Sequence, residues 1–125
     1  MPYKKTRRLR YAPRRLRKPP PFQKDHELKN ISLGIALGEG YTMCHNRSPA
    51  LGVSMCDEKA VQIVSKAWGT GVHQGKTLCK PTPENPEGRI HITEASGTRA
   101  EAIMKGYEPH ITGTELHKKW LAKKE

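Results

Sequence analysis

The chain has 125 residues and a formal net charge of +11 at pH 7. This length is enough for one domain with one modest core. The sequence contains no run of 18 apolar residues, so it predicts no transmembrane helix. No apolar segment follows the charged N-terminus in the way that a secretory signal requires. We therefore expect an intracellular protein that is not secreted and does not bind a membrane.

The positive charge is concentrated at the N-terminus. Residues 1–18 contain nine Lys or Arg and no acid, whereas the remaining 107 residues have a net charge of only +2. We predict a basic, Pro-rich arm and linker over residues 1–23 and a single domain over residues 24–125. Blocks of this kind are typical of arms that neutralise phosphates, although a solvated, disordered tail is the alternative. The expected phosphate contacts are Arg8, Arg10, Arg14 and Arg15.

The three cysteines, Cys44, Cys56 and Cys79, are an odd number in a chain without an export signal. We therefore predict reduced intracellular thiols. Their spacing lacks the paired C-x2-C unit of most structural zinc sites, so a zinc site is not favoured.

The first half of the domain predicts one ambiguous segment and two strands. Residues 31–37 alternate apolar and small side chains, which taken alone indicates a strand. The same residues also continue a helix that starts at Asp25, with Leu28, Ile31 and Ile35 on one face. Short strands follow over residues 41–45 and 51–55, joined by a turn-rich segment.

The clearest predicted helix covers residues 57–68, with Asp57 at its start and Gly69 as its C-terminal cap. Its apolar stripe consists of Ala60, Ile63, Val64, Ala67 and Trp68. Strands are predicted over residues 72–79 and 89–93. A capping box over residues 98–101 opens a helix that ends at Gly106, and a last helix begins near Thr114.

The segment GTGVHQGKT, residues 69–77, partly resembles a phosphate-binding loop. The G-x-x-x-x-G-K-[ST] pattern requires glycine at position 70, which is Thr70. A helix precedes the segment, and Pro81 and Pro83 prevent a helix from opening directly after it. We therefore expect no nucleotide cofactor.

Residues 32–40, SLGIALGEG, resemble the motif of the LAGLIDADG homing endonuclease family. Gly34, Ile35, Gly38, Glu39 and Gly40 agree with it, and Leu37 replaces a frequent Asp. The order of the later elements is also similar, so that the resemblance covers about residues 26–122. It implies an α+β fold of the type αββαββα(α), with residues 31–37 helical and a four-stranded antiparallel sheet that binds DNA.

The resemblance further implies a homodimer, because one motif copy needs a second chain to supply the symmetry. The motif helices would meet through Asn30, Gly34 and Gly38, which lie on one helix face. Glu39 would be catalytic and would bind Mg²⁺ or Mn²⁺, assisted by the Gly38 carbonyl. Double-stranded DNA would be bound by the sheet, with these candidate contacts: Arg47, His73, Lys76, Lys80, Arg89 and His91.

Three departures from the family pattern concern cleavage. Met55 occupies a position where a polar residue is common, Arg99 would substitute for a catalytic Lys, and Thr112 or Thr114 replaces another Lys. The first hypothesis is a homing-type, site-specific endonuclease of a prokaryotic cell, a phage-infected cell or an organelle. The second is a related protein that binds DNA or intron RNA without cutting, as a maturase or regulator. The third is a basic-armed structural component of a ribonucleoprotein or virion.

Overall fold

A computed structural model of the protein describes residues 18–45 and 47–124. The arm residues Arg8, Arg10, Arg14 and Arg15 lie outside the described residues. A 3₁₀ turn (Pro21–Gln23) is followed, in chain order, by α1 (His26–Glu39), β1 (Gly40–His45), β2 (Ser48–Met55), α2 (Glu58–Trp68), β3 (His73–Leu78), β4 (Arg89–Ser96), α3 (Gly97–Ile111) and α4 (Glu115–Lys124). The predicted α+β class and its order of elements are confirmed.

The four strands form one antiparallel sheet in the order β1-β2-β4-β3. Leu51 pairs with Ala95 and Val53 with Thr93, and all four side chains are buried. The helices pack on this face of the sheet and complete the core. The side chains that alternate with these four point to the opposite face, which we call the open face.

Local signals explain where the helices begin and end. The Asp25 carboxylate accepts a hydrogen bond from the Leu28 N–H at 3.0 Å, and Asp57 caps α2 in the same way. Gly69 ends α2 in a left-handed conformation (φ 74°), which glycine adopts without steric cost. None of the helices formed by the described residues has both the length and the apolar character needed to cross a bilayer.

Residues 31–37 lie inside α1, so the strand suggested by their alternation is wrong and the helix is confirmed. Ser32, Leu33 and Ala36 form the buried side of this helix. The buried side of α2 is rotated from the predicted stripe. Val61 is fully buried there, whereas Ala60 and Ile63 are only partly buried.

The helix predicted to end at Gly106 continues to Ile111 and includes Pro109. Gly106 is required for packing and does not end the helix, since a Cβ there would lie 2.8 Å from the Phe22 ring. The predicted capping box is also wrong. Ser96 is the N-cap residue, and no side chain caps the helix.

The folded domain begins before the predicted boundary at residue 24. Phe22 is 1% exposed and packs edge-on against the Tyr107 ring, with the ring centroids 4.9 Å apart. Pro20 is also fully buried. Pro20 and Phe22 therefore belong to the core, although the predicted boundary places them in the linker.

Cys56 and Cys79 form a disulfide with a Cα–Cα distance of 5.9 Å, while Cys44 is free and exposed. The prediction of three reduced thiols is wrong for this pair. The bond joins the residue that follows β2 to the residue that follows β3, two positions that the sheet topology brings together.

A buried chain of hydrogen bonds connects α1, α2 and α3. The Trp68 indole N–H donates to the Tyr107 hydroxyl at 2.8 Å. The Ser32 hydroxyl donates to the Lys29 carbonyl at 3.0 Å, so the 2.7 Å contact between Ser32 and Tyr107 must use the Tyr107 hydrogen. Burial raises the pKa of Tyr107, and these two side-chain hydrogen bonds oppose the shift. Among residues 18–45 and 47–124, every buried side-chain nitrogen and oxygen atom has a hydrogen-bond partner.

We predict that Tyr107→Phe lowers the free energy of unfolding by about 1–3 kcal/mol, because it leaves the buried Trp68 N–H without an acceptor. Tyr41→Phe is the matched control, since the Tyr41 hydroxyl contacts the exposed Glu94 carboxylate, and it should cost less than about 1 kcal/mol. Urea denaturation measures both values. Equal losses in the two variants would contradict the importance of the buried chain.

Candidate nucleic-acid interface

One side of α1 has no partner within the described chain. Asn30, Gly34 and Gly38 are exposed along this side, and Ile31 and Leu37 beside them are 43% and 42% exposed. A Cβ added at Gly34 or Gly38 would meet no atom within 4 Å. Glycine lowers helix stability by about 1 kcal/mol relative to alanine. Packing within the described chain therefore does not explain the two glycines.

Helix α1 passes directly into β1, and this junction positions Glu39. Glu39 is the last helical residue, and the strand begins at Gly40. A Cβ at Gly40 would collide with the Ala36 carbonyl oxygen, so only glycine fits this sharp change of direction. The exposed Glu39 side chain therefore lies between the free side of α1 and the edge strand of the sheet.

The side chains near Glu39 supply only part of the ligand set that a hard cation requires. Among residues 18–45 and 47–124, no three His, Cys, Asp or Glu side chains lie close enough together to bind a metal ion. Mg²⁺ is bound through carboxylate oxygens together with water or substrate phosphates. Glu39 supplies one such carboxylate, and a second copy of α1 packed on the first would supply another.

The open face of the sheet contains both polar and apolar side chains. His73 pairs with Ile92 on this face and is exposed. Tyr41, Gly52 and Glu94 form one row across β1, β2 and β4. The Tyr41 hydroxyl donates to a Glu94 carboxylate oxygen at 3.0 Å. Burial, followed by this hydrogen bond and the carboxylate charge, raises the pKa of Tyr41.

Two of the candidate DNA contacts, His91 and Arg89, lie off the open face. His91 is 4% exposed and points toward the helices, where its Nε2 lies 3.5 Å from Asn85 Nδ2 and 4.0 Å from a Glu58 carboxylate oxygen. Arg89 lies on the same face of β4 as His91, and its side chain donates to the Glu87 carboxylate at 2.9 Å. Neither side chain lies on the open face. His91 is buried and thus not accessible to DNA in this structure, whereas a DNA contact by the exposed Arg89 stays a prediction.

The orientation of β4 is opposite to what its apolar residues suggest. Ile90 and Ile92 lie on the open face, whereas Thr93 is fully buried. The buried hydroxyl is satisfied, because Thr93 donates to the Gly71 carbonyl at 2.8 Å and receives the hydrogen of Thr70 at 2.6 Å. These hydrogen bonds make burial of the polar side of β4 possible.

The remaining basic candidates are exposed at a turn and at an edge of the sheet. Arg47 is exposed at the β1–β2 turn and adopts a positive φ of 68°, which is uncommon for a residue with a side chain. Lys76 is exposed on the edge strand β3, and Lys80 is exposed just after it. Lys76 and Thr77 thus belong to a strand, as predicted for the glycine-rich segment, and no helix follows them directly.

Arg99 makes two contacts with the backbone. Its guanidinium donates to the Trp68 carbonyl at 2.8 Å and to the Lys18 carbonyl at 3.2 Å. These bonds connect the end of α2, the N-terminal segment and the start of α3. The observed contacts give Arg99 a structural role, and its role in catalysis remains a prediction.

Sequence analysis missed Tyr41, Gly52 and Glu94. Tyr41 is 53 residues from Glu94, and only the strand register places them on one row. The signal in the sequence is slight: an isolated glycine inside a predicted strand indicates a close approach by another group.

Comparisons of the chain with known protein families, curated proteins and solved structures gave no match. The resemblance to LAGLIDADG endonucleases therefore depends on the motif at residues 32–40 and on the order of the elements.

We predict that Arg99→Met lowers the free energy of unfolding by about 1–2 kcal/mol, because two carbonyl groups lose a charged donor. Lys105→Met, an exposed change on the same helix, is the control and should have an effect within about 0.5 kcal/mol. Urea denaturation distinguishes them, and equal stability of the two variants would argue against the structural role.

Proposed function

We propose that this protein is a homodimeric, metal-dependent, site-specific DNA endonuclease of the LAGLIDADG type. The observation on which this proposal depends is the geometry of α1. The helix presents a free side with two glycines and ends at an exposed carboxylate, directly before the edge strand of a sheet with one open face.

The free side of α1 supports a symmetric dimer. Two helices that cross at glycines approach more closely than side chains would permit, and the exposed Ile31 and Leu37 would then be covered. A two-fold axis between the helices uses the same surface of both chains. If this axis runs along the helices, the two Glu39 residues, one from each chain, meet at the same end of the interface.

The distribution of charge supports DNA as the substrate. Exposed basic residues lie at the β1–β2 turn and along the edge strand β3, while uncharged side chains and one carboxylate occupy the centre of the open face. Phosphate contacts from these Lys and Arg would position the sheet, and hydrogen bonds from its centre would distinguish bases in the major groove. The basic residues of the arm, at positions 1–18, would add affinity that depends on salt but not on sequence.

The proposal assigns Mg²⁺ or Mn²⁺ to the two Glu39 carboxylates of the dimer, with the Gly38 carbonyl as an additional oxygen ligand. A metal ion bound there would supply charge stabilisation for phosphodiester hydrolysis. The protein's own contribution is the rigid junction at Gly40, which holds each carboxylate at the end of its helix.

A DNA-binding protein that does not cut is the second candidate function. Arg99, which would substitute for a catalytic Lys, already binds the Trp68 and Lys18 carbonyls. Met55 offers no polar group for ordering water. Both observations favour binding without hydrolysis.

We predict that Gly34→Leu converts the dimer into a monomer of 14.1 kDa, because the side chain would separate the two helices. The change should not disturb the monomer, since a Cβ at this position meets no atom within 4 Å and leucine favours the helix by roughly 0.8 kcal/mol over glycine. Sedimentation velocity measures the mass.

Lys66→Leu, an exposed change on α2, is the control and should remain a dimer. A stable Gly34→Leu dimer would disprove the proposed interface, whereas a monomeric wild type would disprove the dimer itself.

We predict that Glu39→Gln abolishes cleavage and leaves DNA binding intact or slightly tighter. The substitution preserves the size of the side chain but removes the charge that binds the metal, and the rate should fall by roughly a hundredfold or more. The measurement is a nicking assay with Mg²⁺, and then Mn²⁺, on a duplex selected by binding.

Glu27→Gln changes another exposed carboxylate on the same helix and serves as the control, with cleavage expected at the wild-type rate. Equal cutting by wild type and Glu39→Gln would remove Glu39 from the mechanism. Sequence-specific binding by a wild type that never cuts would support the second candidate function.

A further inference from the structure

The row formed by Tyr41, Gly52 and Glu94 places a carboxylate near the centre of the open face. In the strand register, Gly52 pairs with Tyr41 on one side and with Glu94 on the other. Strand β4, which contains Glu94, is an inner strand of the sheet. The candidate phosphate contacts Arg47 and Lys76 lie elsewhere, at the β1–β2 turn and on the edge strand β3.

Gly52 is what allows the contact between the two side chains to form. A Cβ at this position would lie 2.5 Å from Tyr41 Cζ and 2.7 Å from the Tyr41 hydroxyl oxygen. The phenol ring therefore lies across β2 in the space that any other side chain would occupy. The ring thus crosses the middle strand, and its hydroxyl reaches Glu94 on the next strand.

The Tyr41 hydroxyl donates to one oxygen of the Glu94 carboxylate at 3.0 Å, which fixes the orientation of the group. An ionised carboxylate has about four lone-pair sites. The other oxygen is thus available to a donor above the open face.

Few groups on double-stranded DNA are suitable partners for a fixed carboxylate. Phosphates repel it, and so do the acceptor atoms of guanine. The amino group of adenine has an acceptor, N7, beside it in the major groove, while thymine presents an acceptor and a methyl group. Cytosine presents its N4 amino group as a donor, and carboxylate side chains typically accept a hydrogen bond from this group.

We propose that Glu94 determines specificity at one base pair of each half-site, by accepting a hydrogen bond from the N4 amino group of cytosine. Tyr41 is a positioning residue that holds the carboxylate, and Gly52 makes room for it. This inference depends on the DNA-binding function proposed above, and it adds the identity of one recognised base.

The test is selection of bound duplexes from a random pool. Full-length protein binds the pool in EDTA, which prevents hydrolysis, and the bound duplexes are sequenced. Wild type should select cytosine over the other bases at one position of each half-site, by roughly five- to a hundredfold. Glu94→Gln should change that preference to adenine, because a glutamine amide pairs with adenine N6 and N7. Tyr41→Phe should keep the preference for cytosine but reduce it.

Ser96→Ala is the control, since Ser96 is exposed on the same strand and has the same parity as Glu94. It should leave the cytosine position unchanged. If wild type and Glu94→Gln select identical sites, the hydrogen bond between Tyr41 and Glu94 only connects β1 with β4, and the inference is wrong. If wild type selects no sequence at all, the proposed DNA-binding function fails and this inference fails with it.

Discussion

The rotation of α1 about its own axis depends on the hydrogen bonds that connect Trp68, Tyr107, Ser32 and the Lys29 carbonyl. Ser32 must point inward to take part in this chain. Positions two residues away in either direction, such as Gly34, must then face outward, because successive helical residues are about 100° apart. The free side of α1 and the position of Glu39 at its end therefore follow from a buried polar contact as well as from apolar packing. Removing one member would leave a buried donor unpaired, which is costly in a core of this size.

The sheet has two faces of different chemistry, and the difference arises from how its polar residues are satisfied. Thr93 and His91 are buried beneath the sheet with hydrogen-bond partners, and so Ile92 lies on the open face. The result is an open face that combines a few fixed polar groups with apolar area, with exposed Lys and Arg at one turn and one edge of the sheet. Such an arrangement suits a ligand that presents charge at its edges and hydrogen-bonding groups between them, as a DNA major groove does.

Much of the fold could be predicted from the sequence, because the signals involved act over a few residues. Asp25 and Asp57 cap helices, Gly69 ends one, and the 3.6-residue period of α2 is clear. These features were sufficient to predict most of the elements and their order, whereas residues 31–37 were ambiguous until the resemblance to the LAGLIDADG motif indicated a helix. The motif at residues 32–40 also directed attention to Glu39 and to the glycines of α1, which the structure leaves exposed. The sequence by itself thus determined the elements, their order and the candidate carboxylate.

Only the tertiary structure decided which surfaces those elements expose. In the β4 sequence Arg-Ile-His-Ile-Thr, the isoleucines suggest that their own side of the strand is buried, but the structure buries the opposite side. It can do so because Thr70 and Gly71, in a loop distant in sequence, form hydrogen bonds with the Thr93 hydroxyl. Gly106 appeared to end a helix, but Phe22, 84 residues earlier, requires it for packing. The row from Tyr41 to Glu94 depends on the register of three strands. Each outcome depends on contacts between residues far apart in the chain, which local patterns cannot encode.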